Sequence, residues 1–421
     1  MQFSNPTASS PTTSDLATPT RARPFAKTQI QTPLWLRWLL GRELAPSYPE
    51  YQRAVAALQQ GDQPMDDLVE WMMQSGIRDA KTLFEQALVH GHASITDCPT
   101  PLREFFIQVE QPPDWLDLQL LADGVRFIHG TGTTATYVLR DLALMGGYLL
   151  SGFNQSLVMT GALNNGTSRR IAETGQWWID CTEPDGLQPF AAGYRSTLHV
   201  RFIHALVRRN LAQKPEWDHA KWGLPLSQID MVSTYLGFSV VMLAGLRALG
   251  IPITPRESAA VMHVWKYACW LMGVDACWLV DSEREGIVLL RHALMTQSQP
   301  DWSSRELAQA LAQEPKQREY PQWQTLRRQL AYQQHLSMSR YFLGRKKMQQ
   351  LGLPTDVTAW FPLLSTPLRF VHYSGRRVVP ALRCQLEQQG RDAQQNALAA
   401  IFGAKPHGLI QPDAQHPAHV A

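Results

Sequence analysis

The run Arg201-Phe202-Ile203-His204-Ala205-Leu206-Val207-Arg208 sets one imidazole in an apolar helical stretch between two guanidinium groups. At about 100° per residue, Arg201, His204 and Arg208 share a helix face. A neutral imidazole on a rigid, dry element is what a haem iron needs, and planar guanidinium groups suit the propionates of such a cofactor. The same residues also describe a core histidine bonded to a backbone carbonyl, with two arginines reaching for solvent. Spacing alone leaves both readings open. His199 lies about 140° away around the helix, which disfavours a two-histidine zinc site here, and no HExxH occurs.

Two further stretches carry chemistry. In Arg169-Arg170-Ile171-Ala172-Glu173-Thr174-Gly175-Gln176-Trp177-Trp178, the residues Arg170, Thr174 and Trp177 form one face, with Glu173 beside it. An apolar pocket for bound dioxygen needs one or two donors or bases, and Arg170, Thr174 and Glu173 could supply them. The plainer alternative is an exposed Arg169–Glu173 ion pair on an amphipathic helix. In His263-Val264-Trp265-Lys266-Tyr267, Trp265 and Tyr267 could line a cofactor pocket and His263 could be a second ligand, or the helix is ordinary aromatic core.

The elements that must position these groups all read as helix. Pro112-Pro113-Asp114-Trp115 breaks the chain before a helix over Leu116–His129, and Thr136–Leu150 follows. A helix capped by Thr167 or Ser168 runs to about Cys181. The His204 helix opens at Pro189 and ends near Leu211. Leu226–Leu249 is long and apolar, and its most apolar part, Tyr235–Leu246, is shorter than the roughly 20 residues a bilayer needs. Thr254-Pro255-Arg256-Glu257 and Ser303-Ser304-Arg305-Glu306 read as capping boxes. Leu326–Leu351 is a periodic, Gln- and Arg-rich helix. No segment alternates with period two, so the expected fold is all-α. It is a single large helical domain over 34–402 with a core at 110–380. A disordered Ser-, Thr- and Pro-rich tail is expected at 1–33, another tail at 403–421, and the best internal linker at Glu314–Gln324.

Composition bounds the function. Thirty-nine basic residues against 36 acidic ones leave a formal charge of +3 over 421 residues, which gives no electrostatic footprint for nucleic acid. Five cysteines without a CxxC pair argue against a disulfide framework, and no CxxCH exists for covalent haem attachment. The N-terminus lacks the apolar core of a signal peptide, and no twin-arginine signal is present. The expected location is cytoplasmic. Leu34-Trp35-Leu36-Arg37-Trp38-Leu39-Leu40 is an amphipathic run with two tryptophans, fit either for a membrane surface or for packing across the domain.

Taken in order and spacing, these elements resemble the latex clearing protein (rubber oxygenase) family, which also includes the endoplasmic-reticulum-bound oxygenases of mycophenolic acid biosynthesis. Arg201, His204 and Arg208 match its arginine–x–x–histidine–x–x–x–arginine helix. Arg170 and Thr174 match its arginine and threonine four apart, and Trp265 to Gly273 its Trp…Gly helix end. Pro112-Pro113-Asp114-Trp115 looks like its domain start. The likeness covers roughly 110 to 380. It implies a globin-like core binding haem b, with His204 as proximal ligand to the iron and Arg201, Arg208 and Trp265 around the cofactor. It also implies dioxygen activation and oxidative cleavage of C=C bonds in an apolar isoprenoid or lipid-like chain. Rubber-cleaving members carry a lysine where this chain has Glu173, and a glutamate where, ungapped, it has Asn154. Glu173 could take over the base role. The readings left beside an oxygenase are a haem-binding sensor or carrier, six-coordinate through His263 or Glu173, and a cofactor-free helical interaction protein.

Overall fold

The computed structural model describes residues 18–161 and 167–403, and every regular element among them is helical. The caps explain where the helices start. The Asp117 carboxylate accepts from the backbone amides of Gln119 and Leu120 at 2.9 and 3.0 Å, opening the helix Leu118–Gly130. Thr254 and Glu257 cap each other reciprocally at the start of Pro255–Leu271, as the sequence predicts. The second expected box shifts. The cap of Trp302–Gln313 is Asp301, with Ser304 as its reciprocal partner, and Ser303 is buried one position inside the helix. The His204 helix spans Ala192–Ala212, so Pro189 lies in the preceding loop.

Two of the apolar runs contain an irregularity. The helix over 228–248 widens into a π-helix at Gly237–Val241, and the one over 133–147 does so at Leu139–Leu144. The two wide turns lie against each other, with Gly237 facing the methyl group of Ala143. Such turns recur at functional sites because they re-aim the side chains around them. The 228–248 helix is long and apolar enough to cross a bilayer, but most of it is buried inside the fold, where its Tyr235, Leu236, Leu243 and Leu246 join the core.

At the centre, Pro255–Leu271 is almost wholly buried and crosses Leu118–Gly130 at Gly124. A Cβ there would stand 2.5 Å from the carbonyl oxygen of Ala260 and 2.6 Å from a methyl group of Val264. Gly124→Ala is therefore expected to cost about 1–3 kcal/mol by overpacking, read as a lowered melting temperature.

Three expected boundaries move. Of the tail read at 1–33, residues 1–17 lie outside the described residues. From 18 on the chain is packed, because Arg21 is buried and donates to Asp230 at 2.8 Å. A buried arginine with a carboxylate partner anchors a segment whose composition alone reads as loose. The linker read at Glu314–Gln324 begins with a pinned turn. Glu314 is fully buried between Arg140 (3.0 Å) and Arg318 (2.8 Å), and the neighbouring Asp141 pairs with His335 at 2.7 Å. At the other end, the helix Pro380–Phe402 packs on the body through Gln394, whose amide donates to the carbonyls of Ile128 and Gly132. The tail beyond residue 403 lies outside the described residues. The helix Leu34–Leu40 lies against Glu283–Met295 but buries only Leu40 and turns Leu34, Trp35 and Trp38 to solvent.

Candidate functional site

The helices Thr167–Thr182 and Ala192–Ala212 form an antiparallel hairpin joined by residues 183–191. The hairpin is tight at the loop. A Cβ on Gly193 would meet the carbonyl oxygen of Asp180 at 2.6 Å and Cα of Cys181 at 2.8 Å, so only glycine allows this approach. One turn further in, the Trp177 indole N–H donates to the hydroxyl of Thr197 at 2.9 Å, and Cys181 lies against the same hydroxyl. Beyond that the cover is lost. Val200, His204 and Val207 continue the face of the buried Thr197 but are only partly covered. Across from them Thr174, on the same face as the buried Trp177 and Cys181, is exposed. An exposed residue on a helix's inward face means open space in front of it. The hairpin is a wedge, closed at Gly193 and open where Arg170, Thr174 and His204 look into it.

The electrostatics fit that geometry. Burial pushes the His204 imidazole down to about 4, Arg208 and Arg170 push the same way, and Asp62 opposes them. The ring is therefore neutral at pH 7. Its Nδ1 is buried with no hydrogen-bond partner among the described residues. Arg170 is also deep, with burial holding its guanidinium below its usual range, Tyr148 and Glu173 opposing, and Nη1 unpartnered. Trp178 Nε1, Trp265 Nε1 and Arg208 Nε are likewise buried and unpartnered. Each such atom costs about 1–3 kcal/mol unless something satisfies it. Two of them, His204 Nδ1 and Arg170 Nη1, face each other's helices across the wedge, where a ligand could satisfy both.

The arginines divide differently from the sequence reading. Arg201 shares the helix with His204, but its guanidinium is spent. It grips Asp62 with two bonds of 2.6 and 2.7 Å, donates to the carbonyl of Leu271 at 3.1 Å and lies over the ring of Phe105. This corrects its reading as a cofactor partner, since a fully engaged buried arginine holds helices together. Arg208 pairs with Asp66 at 2.8 Å, donates to the carbonyl of Leu226 at 3.3 Å and packs its Nε against Gly61, so its guanidinium too is largely engaged within the fold. Glu173 stands beside that face, partly exposed, where its carboxylate is held by Arg169 at 3.1 Å and lies close enough to Arg170 to oppose that group's shift, so it is not the free base expected in the pocket. His263 is also committed elsewhere. Its Nε2 accepts from the backbone amide of Asp117 at 3.0 Å and its ring meets Trp115 edge-on, so it is no second ligand. His199 lies against Glu85. Asn154 is buried and bolts the helix Ser151–Met159 to Tyr148, Ser303 and Ser304.

Trp265 is fully buried in an aromatic wall. It stacks on Phe238 at 5.0 Å and leans on Trp177 at 5.8 Å, and Phe238 meets Trp177 edge-on at 5.2 Å. Phe238 stands in the π-helical turn and is partly accessible. Sequence reasoning missed it because a π turn leaves no mark in composition. Tyr148, close enough to Arg170 to oppose its shift, was missed for want of any motif. The signal available was the apolar run ending in Gly146-Gly147 just before it.

The buried histidines set a pH dependence. Burial holds His129, His204 and His292 near 4 and pushes His335 well below its usual value. The unfolded rings take up protons as pH falls through about 6.5 and the folded ones do not, so stability is full above that pH and is lost as it drops toward 4. Burial raises Asp66 to about 6 and Asp141 to about 7, which acts in the opposite sense. Asp141 offsets its partner His335, and Asp66 offsets one of the remaining three rings. A net loss of stability is expected as pH falls from 6.5 toward 4.5, measured as falling urea midpoints.

The site is thus an imidazole in an aromatic-walled wedge within an all-helical body. The family model for the ER-bound oxygenase mpaB/B'/Rubber oxygenase catalytic domain matches residues 133–373, and the chain belongs to that family. A rubber oxygenase of Streptomyces sp. (strain K30) is 25% identical over 181 residues, which span 42% of this chain and 44% of that protein, so less than half of the relative is matched. A solved structure of the latex clearing protein LCP in the closed state superposes with a TM-score of 0.61 at 19% identity, covering 85% of this chain and 94% of the other. At that identity the likeness establishes the all-α fold.

Proposed function

We propose that this chain is a haem b-dependent oxygenase that uses dioxygen to cleave a C=C bond in an apolar, isoprenoid or lipid-like substrate. The observation that carries this reading is the neutral, unpartnered imidazole of His204 facing the same wedge as Arg170 and Thr174. Among the described residues no three His, Cys, Asp or Glu side chains converge as metal ligands. One imidazole without companions suits a metal that arrives with its own equatorial ligands, which favours haem over a bare ion. When bound, haem supplies dioxygen binding and electron transfer at iron. His204 would hold it. Trp177, Phe238 and Trp265 form an apolar wall that keeps water out.

The remaining roles fall to the facing helix. Arg170 brings a fixed positive charge and free N–H donors to a dry site, where they stabilise developing negative charge on oxygen more than water would. The Thr174 hydroxyl faces the open space and can donate to the same oxygen. The balanced reaction consumes one dioxygen per alkene and leaves one oxygen atom on each of two carbonyl products. With the Glu173 carboxylate held by Arg169, Glu173→Gln is expected to leave turnover unchanged and stability within about 1 kcal/mol. Dioxygen uptake on adding squalene or another polyunsaturated isoprenoid tests the reading. Stoichiometric uptake with carbonyl products is the expected result. A haem-loaded protein that consumes no dioxygen with any such alkene would instead be a carrier or sensor.

A further inference from the structure

The helix that carries Arg170 and Thr174 is held from behind by the C-terminal helix. At about 100° per residue, Ala172, Gly175 and Ile179 lie on the side of Thr167–Thr182 opposite Arg170, Thr174 and Trp177. That outer side meets Pro380–Phe402. Ala172 is fully buried against Leu398 and Phe402, and Ile179 and Ile401 complete the cluster. Gly175 lets Leu398 come close, since a Cβ there would stand 2.8 Å from a Leu398 methyl carbon. Leu398 therefore presses on the backbone of the turn that bears Thr174. The inner side of that turn has no matching support, because the exposed Thr174 faces the open part of the wedge. With space in front, the packing behind decides how far Arg170 and Thr174 stand from His204.

The C-terminal helix has a fixed base from which to press. Leu386, Gly390, Gln394, Leu398 and Phe402 recur every four residues and are all buried. Gly390 crosses Leu118–Gly130 so tightly that a Cβ on it would overlap the carbonyl oxygen of His129. The Gln394 amide donates to the carbonyls of Ile128 and Gly132 at 3.0 and 3.1 Å. At the closed end of the hairpin, Arg391 reaches the Glu183 carboxylate and Gln395 donates to it at 3.2 Å. One stripe of side chains thus joins the central helix Leu118–Gly130 to the back of the Arg170 helix. The cluster of Ala172, Leu398 and Phe402 is separate from the main core. Weakening it loosens one helix at the wedge and leaves the body packed.

We propose that Leu398 and Phe402 are positioning residues, which hold Arg170 and Thr174 toward His204 by filling the notch at Ala172 and Gly175. This rests on the reading of the wedge as a haem pocket, and two measurements keep the ideas apart. The first needs no cofactor. Hydrogen exchange of the amides of residues 167–176 is compared in the full-length wild type, Leu398→Ala and Leu398→Met. Alanine is expected to speed exchange there by at least about tenfold while Ala192–Ala212 keeps its protection. Methionine fills a similar volume and should restore it. The second uses the haem-loaded ferrous protein, where the C–O stretch of added carbon monoxide reads the polarity of the facing pocket. Leu398→Ala should keep the Soret band and move the stretch in the same direction as Arg170→Ala. Leu398→Met, and the core variant Gly124→Ala, should leave the stretch at its wild-type value. Should Leu398→Ala fail to fold, Phe402→Leu carries the same comparisons with a smaller loss of volume. Unchanged exchange over 167–176 overturns the proposal. So does a stretch that Arg170→Ala moves and Leu398→Ala does not, or one that neither moves. A colourless protein contradicts the haem reading alone, and the exchange comparison then decides the positioning.

Discussion

Replacing His204 by alanine is expected to abolish haem binding while leaving the helices folded. The imidazole makes no hydrogen bond that would be lost, and its Nδ1 is one of the buried atoms already without a partner. Truncation therefore removes little that holds the fold. It does remove the one nitrogen ligand in the wedge, and His263 cannot replace it while its Nε2 accepts from the Asp117 amide. The purified variant should be colourless with unchanged far-ultraviolet circular dichroism. Added imidazole should restore part of the absorbance, because the space left by the ring would admit it. A variant that keeps its full Soret band would show that another residue holds the iron.

The largest stability effect is expected at Asp62. This buried carboxylate is the bidentate partner of the buried Arg201. Asp62→Ala leaves a guanidinium desolvated and unpaired, at a cost of about 3–5 kcal/mol. Removing both charges together, as Asp62→Leu with Arg201→Met, should recover most of that loss, since the ion pair itself contributes little beyond an apolar pair of similar volume. The double variant also separates two roles for Arg201. If it ties the His204 helix to the chain before Gln63–Ser75, the double variant is stable and still takes up haem. Were it a propionate partner, the double variant would be stable and haem-poor.

Much of this was legible in the sequence, and the misses have physical causes. The helix starts at Leu118 and Pro255 follow from caps that act within four residues, so a local reading finds them. The face shared by Arg170, Thr174 and Trp177 is visible in spacing alone. What Arg201 does was hidden, because its partner is 139 residues away in sequence and a cation beside a histidine reads the same whether it faces a cofactor or a carboxylate. Glu173 was ambiguous for the same reason, and the nearby Arg169 decided it. The π turns at Leu139–Leu144 and Gly237–Val241 were invisible, since one extra residue per turn leaves the apolar pattern nearly intact. The helix Trp360–Val378, which turns Leu363, Leu364, Leu368 and Val371 to solvent and buries Tyr373, shows a further limit. An amphipathic period reveals that two faces exist, but not which of them meets the protein.

The account rests on a haem held in the wedge between Thr167–Thr182 and Ala192–Ala212. Its most direct test is the absorption spectrum of the purified full-length protein expressed in haem-replete cells, with iron counted per chain. The account predicts a Soret band and one haem per chain, extractable into acidified organic solvent because no CxxCH binds it covalently. A colourless protein that takes up no hemin on titration would contradict it.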